Sequence, residues 1–429
     1  MQGFAGLRGP RSKGPAVLLL AAWLLAATAA SAAAASTRVT VWFMASGGDF
    51  EQYTQKVVEQ FESAHPGVDV QYQIIPWEGV DEKLATAVAS GTNPDVMQMG
   101  NVRIAPLIDM GVLEDLTPYV MGSDLSKDVT RRQWEVSGGL RDGHYYAIPF
   151  IQATRPFFWN RALYKEAGLD PDRGPRTWDD WLQMASKTHD PRRGRSGVAM
   201  GANDNMQLSF LWFPQLLWSA GGEIFSADGK QAAFASEAGV QAARFMVDLS
   251  KFAQPGFLGM MTPEANELFY QGRAATTVLP SSNVVAIPKT YPDLDFGMAP
   301  PPVKKQPAAL AGMDSLVMFK SAKDKKAAWD VVAYLSGAES QRMLGELFGF
   351  TPVRSSLVRS RPFADDPRWQ AAFAVLEYVK ALPMTAAWAR IRPRLGEELH
   401  YALAGQKTPE KALQDAAGFA AETLRQSGK

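Results

Sequence analysis

Apolar and polar positions along this chain follow two different periods. After residue 36, RVTVWFM is a β-branched and aromatic run that stops at ASGGD, where paired glycines break a strand. FEQYTQKVVEQFESAH then sets Phe50, Tyr53, Val57, Val58 and Phe61 at helical spacing, which predicts an amphipathic helix. Pro66-Gly67 is a turn, and VDVQYQII alternates as a strand. EKLATAVASG predicts a short helix closed at Gly91, PDVMQM a third strand, and NVRIAPLIDMGVL a return to helix. Strand and helix alternate, so the pattern predicts parallel βαβ units and an α/β domain. The alternation resumes downstream. YYAIPF and PFFWN read as strands, Trp178 to Ser186 as a helix, and QLSFLWFPQLLWSA as a long helical stretch ending at Gly221-Gly222. AATTVL, DFGMAP and DSLVMF read as strands, and from Lys323 the chain reads as helix almost to its end. PPPVKKQP, at 300–307, predicts a rigid extended crossing. Two α/β lobes joined by extended crossings suit a ligand cleft, because open α/β sheets bind ligands beyond the carboxyl ends of their strands.

The first 36 residues break this pattern. Arg8, Arg11 and Lys13 precede the apolar AVLLLAAWLLAATAA, and the small-residue SAAAAS follows. A basic start, an apolar middle and a small-residue end predict a cleaved secretory signal peptide, with an uncleaved membrane anchor as the alternative because the run to Ala35 reaches about the 18 residues that span a bilayer. The whole chain carries 44 basic and 44 acidic residues. Loss of the leader's three cations leaves 41 against 44, so the remaining chain is slightly acidic. That balance offers no electrostatic footprint for nucleic acid. With no cysteine there is no disulfide, no thiolate metal site and no lipid-anchoring thiol. The expected product is a free periplasmic protein, read as a monomer.

No reacting constellation emerges. His65, His144, His189 and His400 are far apart in sequence, and none pairs at metal-ligand spacing. G-x-x-x-x-G-K and G-x-S-x-G are both absent. The expectation is therefore a protein without cofactor, metal or catalytic residues. A two-carboxylate glycoside hydrolase stands as an alternative, since acidic residues are plentiful.

Six segments in order resemble the maltose-binding-like family of solute-binding proteins. They are GTNPDVMQMGNVRIAPLIDMGVLEDLTPYV, YAIPF…FFWNRALYKEAGL…PRTWDDW, WSAGGEIF, KKAAWDVVAYLSGAESQRML, FGFTPVRSS and GQKTPEKALQDAAGFAAETL. The resemblance implies a two-lobed periplasmic-binding-protein fold crossed three times, near 147–158, 296–303 and 350–354. One lobe would comprise 37–150 plus 300–350 and the other 151–299 plus 351–429. It also implies capture of a small carbohydrate and delivery to the membrane permease subunits of an ABC importer.

Sugars present hydroxyls that suit charged or amide partners and C–H faces that lie flat on aromatic rings. A ring contact adds about 0.5–1.5 kcal/mol beyond burial. A hydrogen bond to a charged group adds about 1.5–3 kcal/mol. In the first lobe the loop Ala45, Ser46, Gly47, Gly48 and Asp49 follows the first strand, and its glycines allow backbone to approach a ligand. Arg103 resembles the family's sugar-binding arginine, with Asn101 close by, and Asp81 resembles a sugar-binding acid, with Trp77 and Glu78 before it. Val102 and Met99 stand where maltose binders carry an acid and a stacking Trp, so the pocket departs from the maltose one. On the first crossing, Gln152, Thr154 and Arg155 resemble polar contacts. Gly312, Met313 and Asp314 resemble a ligand-contact turn, and Trp388 a stacking ring. Trp212 and Trp218 sit six residues apart on one helical stretch, so they cannot share a face, and Trp218 is taken as the cleft candidate. Phe350 and Arg354 read as structural. A polar phosphate ester such as glycerol 3-phosphate, held by Arg103 and Arg155, is the second ligand class.

Overall fold

The computed structural model describes residues 36–46, 50–203, 207–383 and 385–427. The leader, Gly47 and Asp49 lie outside the described residues.

The first lobe is built on a mixed sheet. β1 (Thr37–Met44) and β2 (Val68–Ile75) run parallel in register over their whole length, from Thr37 opposite Val68 to Met44 opposite Ile75. Parallel neighbours need a crossover, and the helix Phe50–Ala64 supplies it. Its predicted stripe, Phe50, Tyr53, Val57, Val58 and Phe61, is buried. β1 is covered on both faces. Val39, Val41 and Phe43 join one apolar cluster while Trp42 and Met44 join another, which explains its near-continuous apolar run. β3 (Val96–Gly100) flanks β1 on the other side. Leu140–Arg141 and His144–Tyr145, β4 and β5, form a hairpin turned at Asp142-Gly143, where both residues have positive φ, as such a two-residue turn requires. β6 (Ile148–Thr154) completes the lobe's first run of strands.

The second lobe holds an antiparallel sheet with β7 (Phe157–Asn160) between β8 (Thr276–Val278) and β9 (Phe296–Ala299). Around it lies a large core containing Trp159, Trp178, Trp181, Trp212 and Trp218. β10 (Ala309–Met318) returns to the first sheet, antiparallel to both β3 and β6, and β11 (Val379–Lys380) pairs with its first two residues.

The chain crosses between lobes three times. The first passage lies between Thr154 and Phe157. The second is later than the Pro-rich segment predicts. Val303 bonds to Arg176, and Lys305 and Gln306 bond to Ser219, so the chain leaves the second lobe only as β10 begins. In the third, the Thr351 N–H donates to the Gln152 carbonyl. The hydroxyls of Thr154, Thr351 and Ser281 meet at 3.1 Å, a buried cluster joining two crossings to the loop after β8.

Three elements differ from the sequence reading. β10 begins at Ala309, five residues before the predicted strand. The helical stretch 207–220 is a π-helical turn, Leu208–Trp212, followed by the α-helix Phe213–Ser219. Pro214 has no N–H to offer the carbonyl four residues back, so the regular ladder cannot pass through it. The tail is not continuous helix either. The helix Ala338–Phe348 ends at Gly349 in the left-handed region. Beyond it come only short elements, among them a 3-10 turn, Ser355–Arg359, and a short helix opened by Pro367, Pro367–Ala374, before the helix Ala386–Leu403.

Candidate ligand-binding cleft

The carboxyl ends of β1 and β3 meet the middle of β10, and the candidate site is built there. Asp314 on β10 lies opposite Gly100, the last residue of β3. The turn Asn101–Arg103 follows at once and aims Arg103 outward. Arg103 grips Asp81 with two donors, Nε at 2.6 Å from Oδ1 and Nη2 at 3.3 Å from Oδ2. Asp81 sits in the first turn of the helix Val80–Ser90, where a carboxylate also suits the helix dipole. The Trp77 ring lies 5.4 Å from the Arg103 guanidinium and donates its indole N–H to the Ala45 carbonyl at 2.8 Å. Gly100 sits beneath the pair, and a Cβ there would stand in ordinary contact, 3.6 Å from both the Trp77 ring and Arg103.

Asp314 accepts a hydrogen bond from Gln98 Nε2 at 2.9 Å. Burial pushes its carboxyl up to about 6, against the pull of that hydrogen bond and of the Arg103 charge. Gln98 also reaches Ser46 Oγ at 3.4 Å, tying the loop after β1 to β10. Gly312, two residues before Asp314 on the same strand face, has open space where a side chain would stand. The wall therefore joins one aromatic ring, a guanidinium already matched by a carboxylate, and a second carboxylate held by an amide.

Beside this wall the first crossing carries Arg155, only part-exposed. Its guanidinium donates to the carbonyls of Ala153 at 3.0 Å and Thr154 at 3.4 Å. Burial pushes its pKa down to about 10, which is still charged at neutral pH.

Ser46, Trp77, Asp81, Arg103, Gly312 and Asp314 thus come together at one place. Other candidates do not join them. The Asn101 amide is turned inward and donates to the Val136 carbonyl at 2.8 Å. Gln152 is fully buried and accepts from Gln133 Nε2 at 2.9 Å, inside the first lobe. Met313 points to the opposite face of β10, into a cluster with Val136, Ala311, Val353 and Val379. Trp218 is only 2% exposed and borders a groove of about 440 Å³ edged by Val136 and Val379, on that same far side. Trp212 is also core, stacked on Trp181 at 6.0 Å. Trp388 is 4% exposed and packs edge-on against Phe225 at 5.8 Å, so in this conformation its face is not free to stack on a ligand.

Two further residues matter that the sequence reading passed over. Gln98 could have been found as the one polar residue in the otherwise apolar strand VMQMG, because a buried amide there demands partners. Phe210 is the part-exposed aromatic of the π-helical turn, with Arg392 5.9 Å from its ring. Nothing in the sequence marks that turn except Pro214.

Two lobes, three crossings and a polar wall at the strand ends define a two-lobed protein of the kind that captures small solutes. The chain belongs to the bacterial extracellular solute-binding protein family, whose sequence pattern matches residues 45–342. Among relatives, a Sinorhizobium fredii chain named as a probable amino-acid ABC transporter periplasmic-binding protein is 30% identical over 70% of this chain and 69% of its own. The sn-glycerol-3-phosphate-binding periplasmic protein UgpB of Shigella dysenteriae is 24% identical over 92% of this chain and 94% of its own. The structure of the sugar-binding protein MalE from Xanthomonas citri superposes with a TM-score of 0.80 at 25% identity, covering 91% of this chain and 98% of that one. Among the described residues no helix is long and apolar enough to cross a membrane.

Proposed function

We propose that this protein captures a small, uncharged carbohydrate between its lobes and hands it, chemically unchanged, to the membrane subunits of an ABC importer. One observation carries the choice of ligand class. The wall's cation, Arg103, is already gripped at 2.6 Å by Asp81, and Asp314 stands close enough to feel its charge. With its cation taken by one carboxylate and a second carboxylate held only by an amide, the wall offers donors and acceptors but no free positive charge, which suits hydroxyls better than an anion. Trp77 adds the flat apolar surface that a sugar's C–H face needs. The Xanthomonas citri neighbour, named a sugar-binding protein, supports the same reading. The leader and the family together favour a periplasmic home, which cell fractionation checks.

A second reading has its own support. Arg155 has no carboxylate partner among the described residues, donating only to backbone carbonyls, and a phosphate would complete it. The Shigella dysenteriae relative, named for sn-glycerol 3-phosphate, points the same way. Balance around Arg103 makes this the weaker fit.

A thermal-shift screen across mono-, di- and trisaccharides and glycerol phosphates separates the two. Ligand at a hundred times Kd adds about 2.7 kcal/mol to stability. A neutral sugar should raise the unfolding midpoint and be recovered intact after long incubation. A shift with glycerol 3-phosphate alone would install the second reading, and steady turnover of a sugar would install a hydrolase.

A further inference from the structure

Gln98 is built into the first lobe with no freedom to turn. Its side chain is fully buried. Its carbonyl oxygen accepts the Met44 N–H at 3.3 Å, which settles which end of the amide is oxygen. Both amide hydrogens are then aimed the other way, one at Asp314 Oδ2 and one at Ser46 Oγ, at 2.9 and 3.4 Å. Ser46 passes its own proton back to the Met44 carbonyl at 3.1 Å. The outcome is a carboxylate with one oxygen fixed by a rigid donor. Among the described residues its other oxygen, Oδ1, has no partner.

We propose that Gln98 is a positioning residue that holds Asp314 so that Oδ1 accepts a ligand hydroxyl, and that a proton on Asp314 competes with that ligand. This rests on the reading of the cleft as a site for a hydroxylated ligand. Among the described residues, the charged groups around Asp314 are Arg103, from the turn after β3, with Asp81 paired to it. Arg155 lies beyond the end of β6, on the other flank of β10. No histidine belongs to the group, so the carboxyl itself is the group that titrates between pH 5 and 7. The sign follows from what each form can do. The ionised carboxylate accepts a hydroxyl proton, whereas the protonated acid offers one acceptor fewer and a donor the ligand did not ask for. Affinity is therefore full above the midpoint and falls as pH drops through it. With a midpoint of about 6, binding at pH 5 is weaker by about tenfold than on the plateau.

The test needs no sugar for its first arm. Carboxyl-¹³C NMR of aspartate-labelled protein is followed from pH 4 to 8 without ligand, in the parent, Asp314→Asn and Gln98→Met. One resonance should titrate near 6, vanish in Asp314→Asn, and move to higher pH in Gln98→Met, which removes the donor that favours the ionised form. Thermal unfolding confirms that each variant is folded. The second arm titrates maltotriose and D-tagatose by calorimetry between pH 5 and 7.5, expecting a tenfold fall in the parent and a flat profile in Asp314→Asn. An Asp314 signal titrating in the ordinary carboxylate range and unmoved by Gln98→Met overturns the proposal. So does a sugar that binds the parent with no pH dependence. Failure of both sugars to bind counts against the carbohydrate reading, and the first arm still decides the role of Gln98.

Discussion

Replacing Arg103 by Ala should weaken binding of the captured sugar by roughly thirty- to a thousandfold, about 2–4 kcal/mol, while the fold stays intact. Arg103 is the hub of the wall. It holds Asp81 by two donors, lies against Trp77 and acts on Asp314. Its removal frees the ring, leaves Asp81 with no partner to orient it, and withdraws a cation that helps keep Asp314 ionised. Stability should barely change, because Asp81 is 69% exposed and water can take up the lost charge. Accessible pairs of this kind contribute about 0–1 kcal/mol. Titration calorimetry beside thermal unfolding checks both halves. An affinity within twofold of the parent would remove Arg103 from the site.

Arg354→Ala should do the reverse, costing about 3 kcal/mol of stability. The Arg354 side chain is 4% exposed on the third crossing. Its guanidinium reaches Asp124 at 2.9 Å, Asp128 at 3.4 Å and the Ser336 carbonyl at 2.7 Å. Asp128 is itself mostly buried and also receives the N–H and hydroxyl of Ser356. Taking the cation away strands a carboxylate in low dielectric and loosens the crossing from the first lobe. Arg354→Lys keeps the charge but not the planar fork, and should fall between the two. Chemical unfolding of the three proteins checks the order. A loss under about 1 kcal/mol in Arg354→Ala would mean that the crossing is held by other contacts.

Legibility in the sequence varied with where structure was decided. β1 could be read as a short β-branched and aromatic run stopped by glycines, and the helix Phe50–Ala64 because its apolar positions keep one clean period. The first half of β10, ALAGM, could not. Its small residues carry no strand preference of their own, and it is extended because β6 and β11 pair with it. The helical tail was over-read because apolar spacing persists through stretches where the backbone is not helical. At the site, Trp77, Asp81 and Arg103 lie within one βαβ stretch, at the ends of its strands and helices, and the family resemblance marks Asp81 and Arg103, whereas Asp314, in the middle of β10, could be named only through that resemblance. Trp388 and Trp218 were misplaced for another reason. An indole fills a core as readily as it lines a cleft, and only the packing of the helices Phe213–Ser219 and Ala386–Leu403 on their neighbours decides which. Gln98 is the opposite case, a polar residue whose meaning appears only when Ser46 and Asp314, 52 and 216 residues away, arrive around it.

Small-angle X-ray scattering on the ligand-free and sugar-saturated protein tests the central claim most directly. The polar wall belongs to the first lobe, so a sugar contacting the second lobe as well favours the closed arrangement, and the three crossings absorb the dihedral change. The radius of gyration should fall on saturation with the sugar that raises the unfolding midpoint, and should stay unchanged with glycerol 3-phosphate. Compaction by glycerol 3-phosphate together with none by any stabilising sugar would contradict the account.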